Sequence, residues 1–266
     1  MPSPSEHTSS PTSVTPPRFD GLDALRGLAM VWMTVFHFCF DLSYLQLWPQ
    51  DFYNNPWWLW QRTAIVSLFL LCAGLGQAVA SSQQVPLARF LKRWTRVAAC
   101  AALVSLGSYF VFPQSYIYFG VLHGMAVMLL LLRLVGRQRL AYLAAFALVC
   151  LALPVLYRHY SQDLPAQWVG LLNHKAFSVL GLVTAKPHTE DYVPLLPWFG
   201  VMLLGYVRGA HLLRNPISPL GRHLRQPARQ PVAKALAWLG RHSLPYYMLH
   251  QLVLLGALSL LAHWLR

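Results

Sequence analysis

The apolar segment RFDGLDALRGLAMVWMTVFHFCFD, residues 18–41, carries four ionisable side chains that share one helical face. They are Asp23, Arg26, His37 and Asp41. In a helix of 100° per residue, all four fall within about 40° of the direction of His37. Asp23 and Asp41 would then be about 27 Å apart along the helix axis. Because ionisable groups inside a spanning helix are costly and usually face the bundle interior, the pattern predicts an inward-facing polar stripe that nearly crosses a membrane.

The two ends of the stripe suit different chemistry. At one end, His37 and Asp41 have i,i+4 spacing, which lets a carboxylate orient an imidazole and stabilise its protonated form, as an acid–base catalyst requires. At the other end, Arg26 presents a fork of donors that fits a phosphate, with Asp23 one turn before it. The alternative is structural: Asp23 and Arg26 pair with each other, and His37 bonds a neighbouring helix.

Two further apolar segments bring candidates to a similar depth. His123 lies near the start of YFGVLHGMAV, and His250 lies in SLPYYMLHQLV one turn after Tyr246. We expect these three residues to support the polar core around His37. The alternative for each histidine is an ordinary hydrogen bond between helices. The four cysteines lie inside apolar segments, so the sequence indicates neither a disulfide framework nor a metal site.

The composition is that of a membrane protein. Hydrophobic residues make up 56% of the 266 residues and charged residues 11%, against about 25% charged in a soluble domain. The apolar residues form blocks of about the 20 residues that a spanning helix needs. We predict an all-α bundle of about seven spanning helices in a single domain, 18–266, preceded by a disordered cytoplasmic tail, 1–17. The predicted spans are 22–46, 60–80, 92–112, 117–134, 139–157, 193–213 and 243–265.

Basic residues predict the orientation of this bundle. With a cytoplasmic N-terminus, 16 of the 21 Lys and Arg residues fall on the cytoplasmic side, as the positive-inside rule requires. The C-terminus is then periplasmic, and the protein is a multi-pass protein of a bacterial inner membrane in contact with anionic lipid. The net charge of +13 sits in short connections rather than on one polar face, which argues against nucleic-acid binding. The sequence leaves open whether the chain forms a homodimer.

Four segments resemble bacterial membrane proteins related to heparan-α-glucosaminide N-acetyltransferase. They are LDALRGLAMVWMTVFHFCFDL, LFLLCAGLGQ, YFGVLHGMAV and DYVPLLPWFGVMLLGYVRG, and the resemblance extends over about residues 18–265. The first segment is also similar to the start of the wider transmembrane acyltransferases that O-acylate sugars. This resemblance implies acyl transfer from acetyl-coenzyme A, across a membrane, to a sugar amine or hydroxyl. It places Arg26 near the donor path and His37 near the point of transfer.

The resemblance implies a catalytic histidine in the connection after the first span, where the lysosomal enzyme of this family has it. The connection in this sequence contains no histidine. His37 is then the residue to take the proton of the acceptor, with Asp41 stabilising the imidazolium. The donor would bind beside the inner residues Asp23, Arg26, Arg89, Arg93 and Arg96, four of which are basic, and no metal is expected. The acceptor would be a glycan or amino sugar in the periplasm. Two other functions fit the stripe: a transporter or proton-conducting protein, and a non-catalytic membrane subunit.

Overall fold

The computed structural model of the protein describes residues 19–215 and 218–264. Within these ranges the chain is helical and contains no strand. A single bridge, between Phe119 and Tyr192, joins two extended segments. The predicted tail 1–17 lies outside the described residues. The helices are α1 (Asp20–Tyr44), α2 (Pro56–Ser82), α3 (Leu87–Val111), α4 (Val121–Val135), α5 (Leu140–Tyr160), α6 (Ala166–Asn173), α7 (Lys175–Ser178), α8 (Leu195–Arg214), α9 (Pro219–Arg225), α10 (Pro231–Arg241) and α11 (Ser243–Trp264).

Five of these helical segments are long and apolar enough to cross a membrane. They are α1, α2, α3, α11 and α5 with the short 3-10 turn that follows it. The apolar helix α4 has 15 residues, fewer than the predicted span 117–134, because residues 117–120 are extended and Phe119 pairs with Tyr192. The chain is therefore a multi-pass helical membrane protein. The count of seven spans and the side on which each terminus lies remain predictions.

Close backbone approach joins α2 to α8. Gly74 lies against the carbonyl of Met202, and Gly205 lies against the carbonyl of Leu71. A side chain at either glycine would collide with the opposite backbone. Around this contact, buried residues of α2, α4, α5 and α8, among them Leu70, form the larger apolar core. Since lipid gives helices no hydrophobic reason to associate, small residues that let two backbones meet are a main source of packing energy in a membrane.

A second close approach holds α10 against the inner half of α1. Gly27 lies against the carbonyl of Leu236, and Gly240 lies against the carbonyl of Asp23. The pair Arg241–Asp20, 3.4 Å apart, ties the same two helices at their ends. The sequence had indicated only a connection between the last two predicted spans. At 11 residues α10 is too short to resemble a span, and its role depends on packing that hydropathy does not show.

We expect Gly240→Ala to destabilise the protein, because the new methyl group would meet the backbone of α1 at Asp23. Overpacking of this kind costs about 1–3 kcal/mol. Thermal unfolding in detergent measures the loss. Gly256→Ala is the matched control, because a methyl group there meets no atom within 4 Å. Equal melting temperatures for the two variants would show that α10 does not pack tightly on α1.

Candidate functional site

The half of the stripe that contains His37 and Asp41, called the outer half, faces α11. The Thr34 and Tyr246 hydroxyls are 2.7 Å apart. The ring centroids of His37 and His250 are 5.2 Å apart, and the Gln251 amide donates a 2.7 Å hydrogen bond to Asp41 Oδ1. The numbers of the paired residues rise together on both helices, so α1 and α11 run parallel. The structure thus brings together His37, Asp41, Tyr246 and His250.

His37, Asp41, His250 and Gln251 form one group, the outer polar cluster, in which Asp41 and His250 are buried and the other two are half-buried. Asp41 is 1% exposed and His250 is 8% exposed. Four of its buried atoms have no hydrogen-bond partner among the described residues: His37 Nδ1, Asp41 Oδ2, His250 Nε2 and Gln251 Oε1. Buried polar atoms are nearly always paired, so a group of unpaired ones marks a place where a ligand can bind.

Asp41 has Gln251 as its hydrogen-bond partner, whereas the i,i+4 spacing had predicted His37. Its Oδ1 accepts from Gln251, and no hydrogen bond joins it to His37 within the described ranges. The i,i+4 spacing permits a contact with the imidazole, but α11 supplies an amide donor to the same carboxylate. Gln251 was not among the predicted site residues. Its position directly after His250, inside an apolar segment, was the available signal.

His123 does not join the outer polar cluster, contrary to the expectation. Its Nε2 lies 2.9 Å from the Ser105 hydroxyl of α3, and its Nδ1 accepts from the Gly120 amide. Both ring nitrogens therefore have partners. His123 caps the start of α4 and bonds a neighbouring helix, which is the structural alternative described above.

At the other half of the stripe, the inner half, Arg26 and Asp23 form an ion pair. Arg26 Nη1 lies 2.9 Å from Asp23 Oδ1, and both side chains are partly buried. The guanidinium lies beside Gly76 on α2. Arg26 and Asp23 thus pair with each other, as the structural alternative for this end of the stripe proposed.

The other three predicted donor-binding residues, Arg89, Arg93 and Arg96, are exposed on α3. Of these, Arg93 lines an open groove between α2, α3 and α4. Arg133 also lines this groove, and its guanidinium lies 5.4 Å from the centre of the Phe90 ring. The remaining lining residues are Gln77, Ala80, Val85, Trp94, Val97 and Leu129. A basic pair beside aromatic rings is suited to an anion that carries a flat ring.

The long outer connection between α5 and α8 reaches the same part of α11. Asp191 accepts a 2.7 Å hydrogen bond from the Val121 amide and so caps α4. It also acts electrostatically on Tyr247. Burial raises the pKa of the Asp191 carboxyl, partly offset by the hydrogen bond from Val121. The Lys186 ammonium of the same connection lies 6.0 Å from the centre of the Tyr53 ring.

A multi-pass helical bundle with imidazoles, a carboxylate and an amide gathered inside it is a membrane protein with an intramembrane polar site. A family model described as heparan-alpha-glucosaminide N-acetyltransferase, catalytic, matches residues 18–252. The chain belongs to this family, and the resemblance inferred from its four segments is confirmed. The match runs from α1 into α11 and includes the whole outer polar cluster. Neither a curated protein nor a solved structure matches the chain.

Asp191 predicts a pH dependence of stability. Because its pKa is raised in the folded protein, the stability it contributes is present below the ordinary aspartate pKa of about 3.9. That contribution is lost as the pH rises through the higher folded-state value. Asp191→Asn keeps an acceptor for Val121 and cannot titrate. Thermal unfolding in detergent over a pH series should show a smaller fall in stability with rising pH for the variant. Superimposable profiles would contradict the assignment.

Proposed function

We propose that the protein transfers an acetyl group from acetyl-coenzyme A at the cytoplasmic face to an amine or hydroxyl of a sugar in the periplasm. The observation that carries the proposal is the outer polar cluster, two neighbouring imidazoles with unpaired nitrogens beside a buried carboxylate. It lies in a chain of a membrane acyltransferase family. An imidazole whose nitrogen is free to exchange a proton is the usual general base for acyl transfer to a hydroxyl or amine.

The sidedness of the proposal follows from the charges and the helix directions. The connections on the predicted cytoplasmic side hold most of the Lys and Arg residues. The parallel arrangement of α1 and α11 agrees with the odd number of spans that a cytoplasmic N-terminus and a periplasmic C-terminus require. We therefore assign the outer polar cluster to the periplasmic half of a bacterial inner membrane.

The donor would bind at the basic inner face. Coenzyme A is anionic and carries an adenine ring, which fits a groove with Arg93 and Arg133 beside Phe90 and Trp94. The ion pair of Arg26 and Asp23 lies between this face and the outer polar cluster on α1. Arg89 and Arg96 add positive charge on the same helix as Arg93, where they would attract the donor from the cytoplasm.

A proton-conducting role has less support, because the stripe on α1 is interrupted. Met30 and Met33 lie between Arg26 and His37 and are 2% and 4% exposed. They pack with Phe36 and Phe69 in an apolar core. A proton relay needs a chain of polar groups or waters through the membrane. The polar pair at this level, Thr34 and Tyr246, is bonded within itself. These residues therefore favour two separate binding regions over a continuous path.

We expect His37→Ala to lower acetyl transfer, because it removes one of the two neighbouring imidazoles of the outer polar cluster and opens space beside His250. The measurement uses purified protein in detergent, radiolabelled acetyl-coenzyme A and a panel of amino sugars. Phe38→Ala is the control, because Phe38 is the neighbouring residue and is 41% exposed. Unchanged transfer by His37→Ala would exclude the proposed site. No coenzyme A binding by the wild type would favour a transporter or a non-catalytic subunit.

The donor groove is tested by Arg93→Ala. Loss of one charge-assisted hydrogen bond to a phosphate should raise the KM for acetyl-coenzyme A by about tenfold or more. The KM for the sugar should not change. Arg137→Ala removes an exposed charge of the connection between α4 and α5 and serves as the control for net charge. Equal donor KM values for the two variants would place the donor elsewhere.

A further inference from the structure

The protein fixes the tautomer of one imidazole in the outer polar cluster. His250 Nδ1 lies 2.7 Å from the carbonyl oxygen of Tyr247. A carbonyl only accepts, so Nδ1 carries the hydrogen and Nε2 carries the lone pair. The Tyr246 ring stacks on the imidazole at 5.9 Å, with its hydroxyl bonded to Thr34. His250 is thus held in orientation and tautomer, with an unpaired, buried Nε2 as its free acceptor.

The pairing of Asp41 with Gln251 fixes the direction of the amide in the same way. An ionised carboxylate only accepts, so the amide nitrogen must face Asp41 and Oε1 must face away. Gln251 Oε1 and Asp41 Oδ2 then remain buried without partners. Three of the four unpaired atoms in the outer polar cluster are therefore acceptors. The fourth atom is His37 Nδ1, and no neighbouring group among the described residues fixes whether it carries a hydrogen.

A ligand that satisfies three acceptors must bring several N–H or O–H groups. The thioester end of an acyl donor has none, because its carbonyl oxygen and sulfur only accept. An amino alcohol or a vicinal diol presents such groups on neighbouring carbon atoms. The hydrogen bonds that the outer polar cluster lacks are therefore those that the acyl acceptor can make and the donor's thioester end cannot.

We propose that α11 forms the acceptor half of the site, with His250 Nε2 as the atom that removes the proton of the nucleophile. Gln251 Oε1 and Asp41 Oδ2 bind the neighbouring N–H or O–H of the same acceptor and so select it. This inference rests on the proposed acyltransferase function. It assigns the base to the last helix, whereas the sequence had pointed to His37 on the first.

During the proposed acyl transfer, His250 takes a proton from the acceptor and returns it to the leaving thiolate. The nucleophilic oxygen or nitrogen forms a bond to the acyl carbon while its proton moves to His250 Nε2. The bond between the acyl carbon and sulfur breaks, and the proton then passes from His250 to the leaving thiolate. His250 ends neutral, in the tautomer that the Tyr247 carbonyl requires, and the products are the acylated acceptor and the free thiol.

The experiment compares His250→Gln with His37→Gln in detergent-purified protein, using acetyl-coenzyme A and glucosamine over a pH series. We expect His250→Gln to lower kcat by at least about a hundredfold and to remove the fall in rate at acidic pH that protonation of the base causes. His37→Gln should keep that fall. A wild-type acidic limb in His250→Gln would overturn the inference. No transfer by the wild type would instead overturn the proposed function, and this inference with it.

Gln251→Met provides a second test that does not depend on the folding of the His250 variant. It should raise both the KM and the equilibrium Kd for glucosamine by about tenfold and leave the KM for acetyl-coenzyme A unchanged. Binding of cyclohexylamine, which has one donor group, should not respond. Leu252→Met is the control, because Leu252 is the next residue and is 72% exposed. Unaltered glucosamine binding by Gln251→Met would overturn the role of the amide.

Discussion

The rest of the structure depends on Asp41, a carboxylate buried to 1% exposure inside a helix long and apolar enough to span a membrane. Hydrocarbon offers no water to solvate such a group, and each polar atom left without a partner costs free energy. Gln251 donates one hydrogen bond to Oδ1 of this carboxylate, while Oδ2 has no partner among the described residues. That bond brings α11 against α1 at the level of Asp41 and so sets the register of the two helices. The same register brings His250 to His37 and Tyr246 to Thr34.

Backbone contacts at glycines hold α1 in the position that this register needs. Gly27 and Gly240 bring α10 onto its inner half, while Gly74 and Gly205 bring α8 onto α2. Such contacts involve main-chain atoms and cannot relax by a change of rotamer. A bundle fixed in this way can keep polar atoms unpaired, because the helices cannot shift to satisfy them. Rigid packing on the inner side thus helps to preserve an open cluster on the outer side.

The sequence predicted the features that depend on one segment alone. Long apolar runs predicted the five helical segments that are long enough to cross a membrane, and helical periodicity predicted that His37 and Asp41 share a face. Pairing between distant segments could not be read in this way. Gln251 lies 210 residues from Asp41, and Ser105 reaches His123 from another helix. The packing of α10 was missed for the same reason, since a short amphipathic helix shows its partner only when the chain is folded.

The two halves of the stripe on α1 differ in how far their polar atoms are paired, and this difference bears on the proposed reaction. The inner charges satisfy each other as an ion pair, whereas the outer atoms remain unpaired. Between them lie the buried Met30 and Met33, and Arg26 and His37 are about 16 Å apart along the helix at 1.5 Å per residue. An acyl group passes directly from its thioester to the nucleophile, so a thioester that stayed beside Arg26 could not react with an acceptor at the outer polar cluster. Under the proposed function, a long flexible arm anchored at the inner face must carry the thioester past Met30 and Met33 to the nucleophile.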